Sequence, residues 1–272
     1  MGNDPPTLFE RSTRCFVTGA GGFLGGELVR TALRQGMSPD RVRCLVRRPE
    51  AAVAQGIPET SLVVGDLGDE AALAKGLDGV DVVFHLAGTI KGSRPSDFLP
   101  VNQRATQTLA AAIMRHAPAA FVVHVSSLAA AGPSMDGVGS DAEPDRCQPV
   151  SAYGESKRLG EIAMRECARR VAVIRPPVVY GAGDSATRLL FRSALAPLCF
   201  APPSPRPLSV VHVRDAVAAM LLVATTQPVG ATLPLDGPDR TDMHDLLRAI
   251  AESCGRRARL VAMPLAIAGA AA

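Results

Sequence analysis

Six short apolar runs, unbroken by polar alternation, punctuate the first two-thirds of the chain. They are CFVTG (15–19), VRCLV (42–46), SLVVGD (61–66), DVVFHLAG (81–88), FVVHVSS (121–127) and VAVIR (171–175). Runs of this length and β-branched content read as strands buried on both faces. Helical patterns fill the gaps near 23–35, 69–77, 100–115 and 152–169, and Gly36 follows the first as a C-terminal stop. Strand, helix, strand at this spacing makes right-handed crossovers, so the expected fold is α/β with a doubly wound parallel sheet. After Arg175 the rhythm changes: PPVVYGAGD (176–184) and APPSPRP (201–207) are turn-rich, and LSVVHV (208–213) lies between helical stretches near 186–196, 214–225 and 241–253. The expected division is a dinucleotide-binding domain over 12–175, its sheet completed by later strands, and a smaller substrate-binding lobe over 176–272.

The first βα turn says what such a sheet would hold. VTGAGGFLGGELV (17–29) spaces Gly19, Gly22 and Gly25 directly after a strand and into an amphipathic helix. The first glycine allows a tight turn, the second a close approach of backbone amides to a pyrophosphate, and the third close helix–strand packing. This is a Rossmann-like arrangement. An NAD-selective site usually has an acidic residue at the end of the second strand; here that strand ends CLVRRPE, with Arg47 and Arg48 in place. A guanidinium can fork onto a 2′-phosphate, so NADP(H) is favoured over NAD(H). Asp66, closing the third strand, can accept from an adenine amino group with Leu67 beside it, or can simply begin a turn.

SAYGESK (151–157) sets one of only two tyrosines and one of only three lysines four positions apart. Composition alone gives such a pair a chance of roughly 2%. Ser151 reads as a helix cap, which puts Tyr153 and Lys157 one turn apart on the helix surface. With the motifs around it, the chain resembles the extended short-chain dehydrogenase/reductases, the NAD-dependent epimerase/dehydratase family. The residues that carry the resemblance are TG-x-x-G-x-x-G (18–25), GDL (65–67), FHLAG (84–88), VNQRATQTL (101–109), VVHVSS (122–127), YGESK (153–157), IRPPVVYG (174–181) and VHVRDAV (211–217).

The resemblance implies Tyr153 as catalytic acid/base, Lys157 as its partner and Ser127 as the third member, with Ser126 competing for that last place. It implies a cofactor site made from Gly19, Gly22, Phe23, Leu24, Gly25, Arg47, Arg48, Asp66, Leu67, Ala87, Asn102, Lys157, Pro176 and Val178. Asn102 either joins a polar network or caps a helix. A free phenol titrates near about 10, and a lysine ammonium one turn away favours the phenolate. His85 and His124 read as core histidines and Tyr180 as structural. His212 and Asp215 are docking features of the family.

The triad does not separate carbonyl reductases, hydroxysteroid-type dehydrogenases and nucleotide-sugar epimerases. Epimerases commonly carry an Arg four residues before the His of their HV motif; here that position is Leu208, and Arg206 lies two residues further away. With Arg47, this favours an oxidoreductase acting on a carbonyl/alcohol substrate, a carbonyl reductase. A nucleotide-sugar epimerase/dehydratase and a non-catalytic dinucleotide-binding protein are the alternatives.

Composition narrows the partners. A net charge of +3, with no basic run interleaved with aromatics, argues against nucleic acid. MGNDPPTLFERSTR (1–14) lacks a signal-peptide core, and LVAMPLAIAGAAA (260–272) is too short to span a bilayer and is interrupted by Pro264. That terminus reads as the start of a core helix, so the lobe is expected to be incomplete. The six cysteines are scattered without metal-ligand spacing, which points to a reduced, cytoplasmic protein without bound metal. The expected partners are a small-molecule substrate and, from the resemblance, a second copy joined through the helices near 100–115 and 152–169 as a homodimer.

Overall fold

The computed structural model describes residues 12–134, 141–184, 187–204, 207–235 and 241–262. In chain order its elements begin β1 (Cys15–Thr18), α1 (Phe23–Arg34), β2 (Val42–Val46), α2 (Pro49–Ala54), β3 (Leu62–Val64), α3 (Glu70–Leu77) and β4 (Val82–His85). They continue α4 (Pro95–Leu99), α5 (Ala105–His116), β5 (Phe121–Val125), α6 (Leu128–Ala131), α7 (Ala152–Cys167) and β6 (Val171–Arg175). Then follow β7 (Val178–Tyr180), α8 (Arg188–Ala194), β8 (Cys199–Ala201), β9 (Pro207–Leu208) and β10 (Val210–His212). The last are α9 (Val213–Thr226), β11 (Thr232–Pro234), β12 (Thr241–Asp242), α10 (Met243–Ser253) and β13 (Leu260–Ala262).

Two compact units emerge: the residues up to Pro177 with Val213–Leu235, and Val178–His212 with the described residues from 241 onward. The first is built on a seven-stranded sheet in the order β11-β6-β5-β4-β1-β2-β3, every pair parallel. The chain leaves β1 in one direction through β2 and β3, then returns past it to β4. That reversal places the topological switch point between β1 and β4, where open α/β sheets take their ligands. The six apolar runs supply β1 to β6. On one face Phe16, Val83 and Val122 pack with Leu73, Leu77, Leu109, Ile113 and Met164 from α3, α5 and α7.

In the second unit β7 pairs parallel with β10, β8 parallel with β13, and β9 antiparallel with β12. The stretch LSVVHV is therefore divided at Ser209, its halves taking different partners. Ala194, Cys199, Ala201, Leu247 and Ile250 form this unit's own core. Among the described residues no helix is long and apolar enough to cross a membrane.

Candidate active site

All seven strands of the first unit point the same way, so their carboxyl ends open onto one edge. At the end of β1, Gly19 has φ +77, and a Cβ there would lie 2.6 Å from the Ala87 nitrogen. A Cβ on Gly25 would stand 2.2 Å from the Gly19 carbonyl oxygen. Backbone thus occupies the space any side chain would need, as the spacing predicts. Gly22 caps α1 without a side chain, and no acidic residue lies in the first turn, where Phe23 and Leu24 stand half-buried. By contrast α3, α7 and α10 are capped by Asp69, Ser151 and Asp242, whose oxygens accept from backbone amides. The first-turn amides of α1 have no intrahelical acceptor, and no carboxylate competes for the positive end of the helix dipole.

Arg47 and Arg48 follow β2 directly and are exposed. Among the described residues neither guanidinium has a hydrogen-bond partner. Asp66 is exposed and its Oδ1 accepts from the Gly68 amide at 2.8 Å, so the turn-forming reading of this residue holds. The Leu67 side chain is buried in the core cluster. Ala87, just past β4, donates its amide to Thr18 Oγ1 at 3.3 Å.

Near the end of β5 stand Ser127, which follows the strand, and Tyr153 and Lys157, one turn apart on α7. Ser127 caps the short α6, its Oγ accepting from the Ala129 amide at 3.2 Å, and it lies near enough to the Tyr153 phenol to favour the phenolate. Ser126 does not take that place; its Oγ is buried without a partner. Ser151 caps α7 by accepting from the Gly154 amide at 3.0 Å, which fixes where the helix carrying Tyr153 begins. Lys157, one turn on, is 7% exposed and donates to the Val125 carbonyl at 2.8 Å. Lys157 is expected from the sequence to favour the phenolate, yet burial dominates and holds the phenol above its ordinary value, the nearby Ser127 hydroxyl opposing the rise. Burial also pulls the Lys157 ammonium down to about 8, with Glu161 drawing it back up.

Several supporting residues escape sequence reasoning. Asn102 is not a cap: it is buried inside a π-helical turn, Pro100–Arg104, that joins α4 to α5. Its Nδ2 donates to the Thr89 carbonyl at 3.0 Å and to Ser156 Oγ at 2.9 Å, and its Oδ1 accepts from the Thr89 amide at 2.8 Å. Ser156 in turn donates to the Tyr153 carbonyl at 2.7 Å. Thr106 donates to the Asn102 carbonyl, so the 2.9 Å contact with His85 Nε2 makes that nitrogen the donor. His85 Nδ1 then accepts from Thr18 Oγ1 at 2.7 Å. One directed chain of hydrogen bonds therefore links the glycine turn to the Tyr153 helix. Burial, then the charge of Lys157, lowers His85 to about 3. The neighbouring His124 ring lies 5.2 Å away, and neither of its nitrogens has a hydrogen-bond partner. Phe98 meets Tyr153 edge-on at 5.9 Å. The spaced Thr, His, Asn and Ser residues carried no local signal, because their partners lie on different elements.

Pro176 is buried after β6 and its carbonyl accepts from the Leu128 amide at 3.0 Å. Val178 opens β7 of the second unit and is 42% exposed. In that unit Tyr180 and His212 meet edge-on at 5.3 Å. Leu208 ends β9; Arg206 and the apolar stretch from 263 lie outside the described residues.

Comparison with known proteins bears on this geometry. The sequence model of the NAD-dependent epimerase/dehydratase family matches residues 15–232. The chain is 34% identical to a ceramide reductase of Caulobacter vibrioides, over 91% of this chain and 73% of that protein. It is 31% identical to a 4-hydroxy-2-methyl-3-oxo-4-farnesyl-3,4-dihydroquinoline-1-oxide ketoreductase of Stigmatella aurantiaca, over 95% and 78%. Among solved structures it resembles a dTDP-glucose 4,6-dehydratase of Streptomyces venezuelae with NAD bound, at 25% identity and a TM-score of 0.77, over 93% and 85% of the two chains.

Proposed function

Because the chain belongs to the NAD-dependent epimerase/dehydratase family, whose members are nicotinamide-dependent enzymes, we propose that it is an NADP(H)-dependent reductase of a ketone or aldehyde on a largely apolar molecule. The observation that carries this reading is the placement of Ser127 beside the Tyr153 phenol, with Lys157 one helical turn on, at the carboxyl edge of a parallel sheet.

The residues fit a dinucleotide. Gly19, Gly22 and Gly25 let backbone close tightly on backbone at the turn into α1, whose uncapped amides, beside Phe23 and Leu24, would hold a pyrophosphate. Arg47 and Arg48 would grip a 2′-phosphate, and Ala87, Asn102, Lys157 and Pro176 would line the rest. A bound nicotinamide dinucleotide supplies the hydride that carbonyl reduction requires. Tyr153 supplies the proton: a phenol held above its ordinary value stays protonated at neutral pH, the form needed to protonate a carbonyl oxygen. Ser127 shares the phenol and orients the same oxygen, and Lys157 stabilises charge left on Tyr153. The relatives named above as reductase and ketoreductase support reduction. The sugar-dehydratase neighbour keeps nucleotide-sugar chemistry as the second reading.

The test is a fluorescence titration with NADPH and NADH, clean because the chain has no Trp, followed by NADPH oxidation with a panel of apolar ketones. Tight NADPH, weak NADH and turnover abolished by Tyr153→Phe with NADPH binding intact are expected. A preference for NADH without carbonyl reduction would overturn the reading and put nucleotide-sugar epimerisation first.

A further inference from the structure

We propose that Arg175 is a positioning residue: by occupying both oxygens of Glu161 it keeps that carboxylate off Lys157, leaving the ammonium to serve Tyr153. The inference rests on the Tyr153–Lys157 reading above. Tyr153, Lys157 and Glu161 follow one another at four-residue steps along α7, so they share a face. Lys157 and Glu161 are both buried. A lysine and a glutamate one turn apart, shielded from water, attract each other strongly. Here they do not join. Glu161 accepts from Arg175 Nε at 2.9 Å and from Nη2 at 2.6 Å, while Lys157 turns to the Val125 carbonyl.

Both members of the Arg175–Glu161 pair are fully buried. The guanidinium is itself anchored, with Nη1 donating to the Ala142 carbonyl at 2.8 Å and Nη2 lying 3.3 Å from Cys147 Sγ. Only a planar fork covers both carboxylate oxygens at once. The titratable groups that act on or are acted on by Lys157 are Glu161 on its own helix, where Tyr153 stands one turn before it, His85 on β4 and His124 on β5; the turn at 100–104 adds the neutral Asn102, and Arg175 on β6 bears on Lys157 through Glu161. Glu161 is the one anion in that set. If Arg175 is removed, Lys157 becomes its natural partner.

The chain's three lysines make this measurable without substrate or cofactor. In the full chain labelled with 13C at lysine Cε, nuclear magnetic resonance follows each ammonium through a pH titration, with assignment by Lys75→Arg and Lys91→Arg. Lys157 should titrate at about 8 in the parent chain. Arg175→Met should raise that midpoint by about one pH unit or more and depress NADPH-dependent ketone turnover. Adding Glu161→Met should return the midpoint to the parent value or below and restore turnover, since apolar replacement of a buried pair is well tolerated. Glu161→Gln alone should lower it only modestly, since Arg175 takes up most, though not all, of the carboxylate's charge. An unmoved midpoint in Arg175→Met, or a double variant as impaired as the single one, overturns the proposal. If Arg175→Met does not fold, the double variant and Glu161→Gln decide it: a midpoint that drops steeply in Glu161→Gln means that Arg175 shields nothing. Undiminished turnover in Lys157→Met would sink the Tyr153–Lys157 reading instead, and leaves the titrations unaffected.

Discussion

The carboxyl ends of β5 and β2 open onto the same edge of one sheet, and they are built in opposite ways. At β5, Ser127 is fixed as a helix cap, Tyr153 is enclosed by Phe98 and Ser127, and Lys157 is tied to the strand it faces. Each side chain there is held by residues that also hold the fold. At β2, Arg47 and Arg48 extend from the last strand residue into solvent. The first end is a property of the whole unit, and the second of two side chains. The proposed proton chemistry is thus hard to alter without disturbing structure, whereas the proposed choice between dinucleotides rests where the sheet has nothing to lose.

The sharpest way to break that contrast is at Gly19, which belongs to the fold and to the proposed phosphate turn at once. Gly19→Ala puts a Cβ 2.6 Å from the Ala87 nitrogen in a backbone of positive φ. It should cost about 1–3 kcal/mol in urea unfolding and abolish NADPH binding by fluorescence. Ser127→Ala should lower turnover by about a hundredfold, with stability reduced by no more than about 1 kcal/mol for the lost cap. Equal loss of NADPH affinity would mean that Ser127 shapes the cofactor site rather than the chemistry.

Acid should then expose the buried layer behind the β5 end. His85 is lowered to about 3 and His124 falls well below its ordinary value, both through burial. Below about pH 6.5 the unfolded chain takes up protons on these rings while the folded chain does not, so stability should fall as pH drops. Urea unfolding between about pH 6.5 and 5 should lose about 1.4 kcal/mol per pH unit for each ring, and His124→Phe should remove its share of that slope. A stability that is flat over this range would show that the rings are charged in the fold. The smallest effect belongs to the β2 end. Arg47→Ala or Arg48→Ala should weaken NADPH about tenfold, the scale of one charge-assisted contact, and leave NADH binding unchanged. Unfolding should move by less than about 0.5 kcal/mol; any larger destabilisation would erase the contrast.

What the sequence revealed follows the same division. β1 to β6 were legible because strands buried on both faces need unbroken apolar runs, and the glycine turn because only glycine fits where backbone meets backbone. Ser151 was legible as a cap because capping is local. The division of LSVVHV between two strands was not legible, since it depends on two partners, Val178–Tyr180 and Thr241–Asp242, that the run itself does not specify. The helix expected over 100–115 hides a π turn, because periodicity averaged over four turns does not register one added residue. The Glu161–Arg175 pair joins a helix to a strand end, with no spacing rule to announce it.

That π turn carries a last consequence. From Pro95 to His116 the chain is one helical run widened in its middle at Pro100–Arg104, beginning at a residue that has no amide hydrogen to give. Such a bulge amounts to a single extra residue absorbed without moving either end of the rod. Deleting one residue between 100 and 104 would close the bulge and leave both flanks in register, but it would remove the widened turn that seats Asn102 against Thr89 and Ser156. Over evolutionary time this segment can therefore exchange many of its letters, but its length is frozen, and insertions and deletions should gather in the surrounding loops instead.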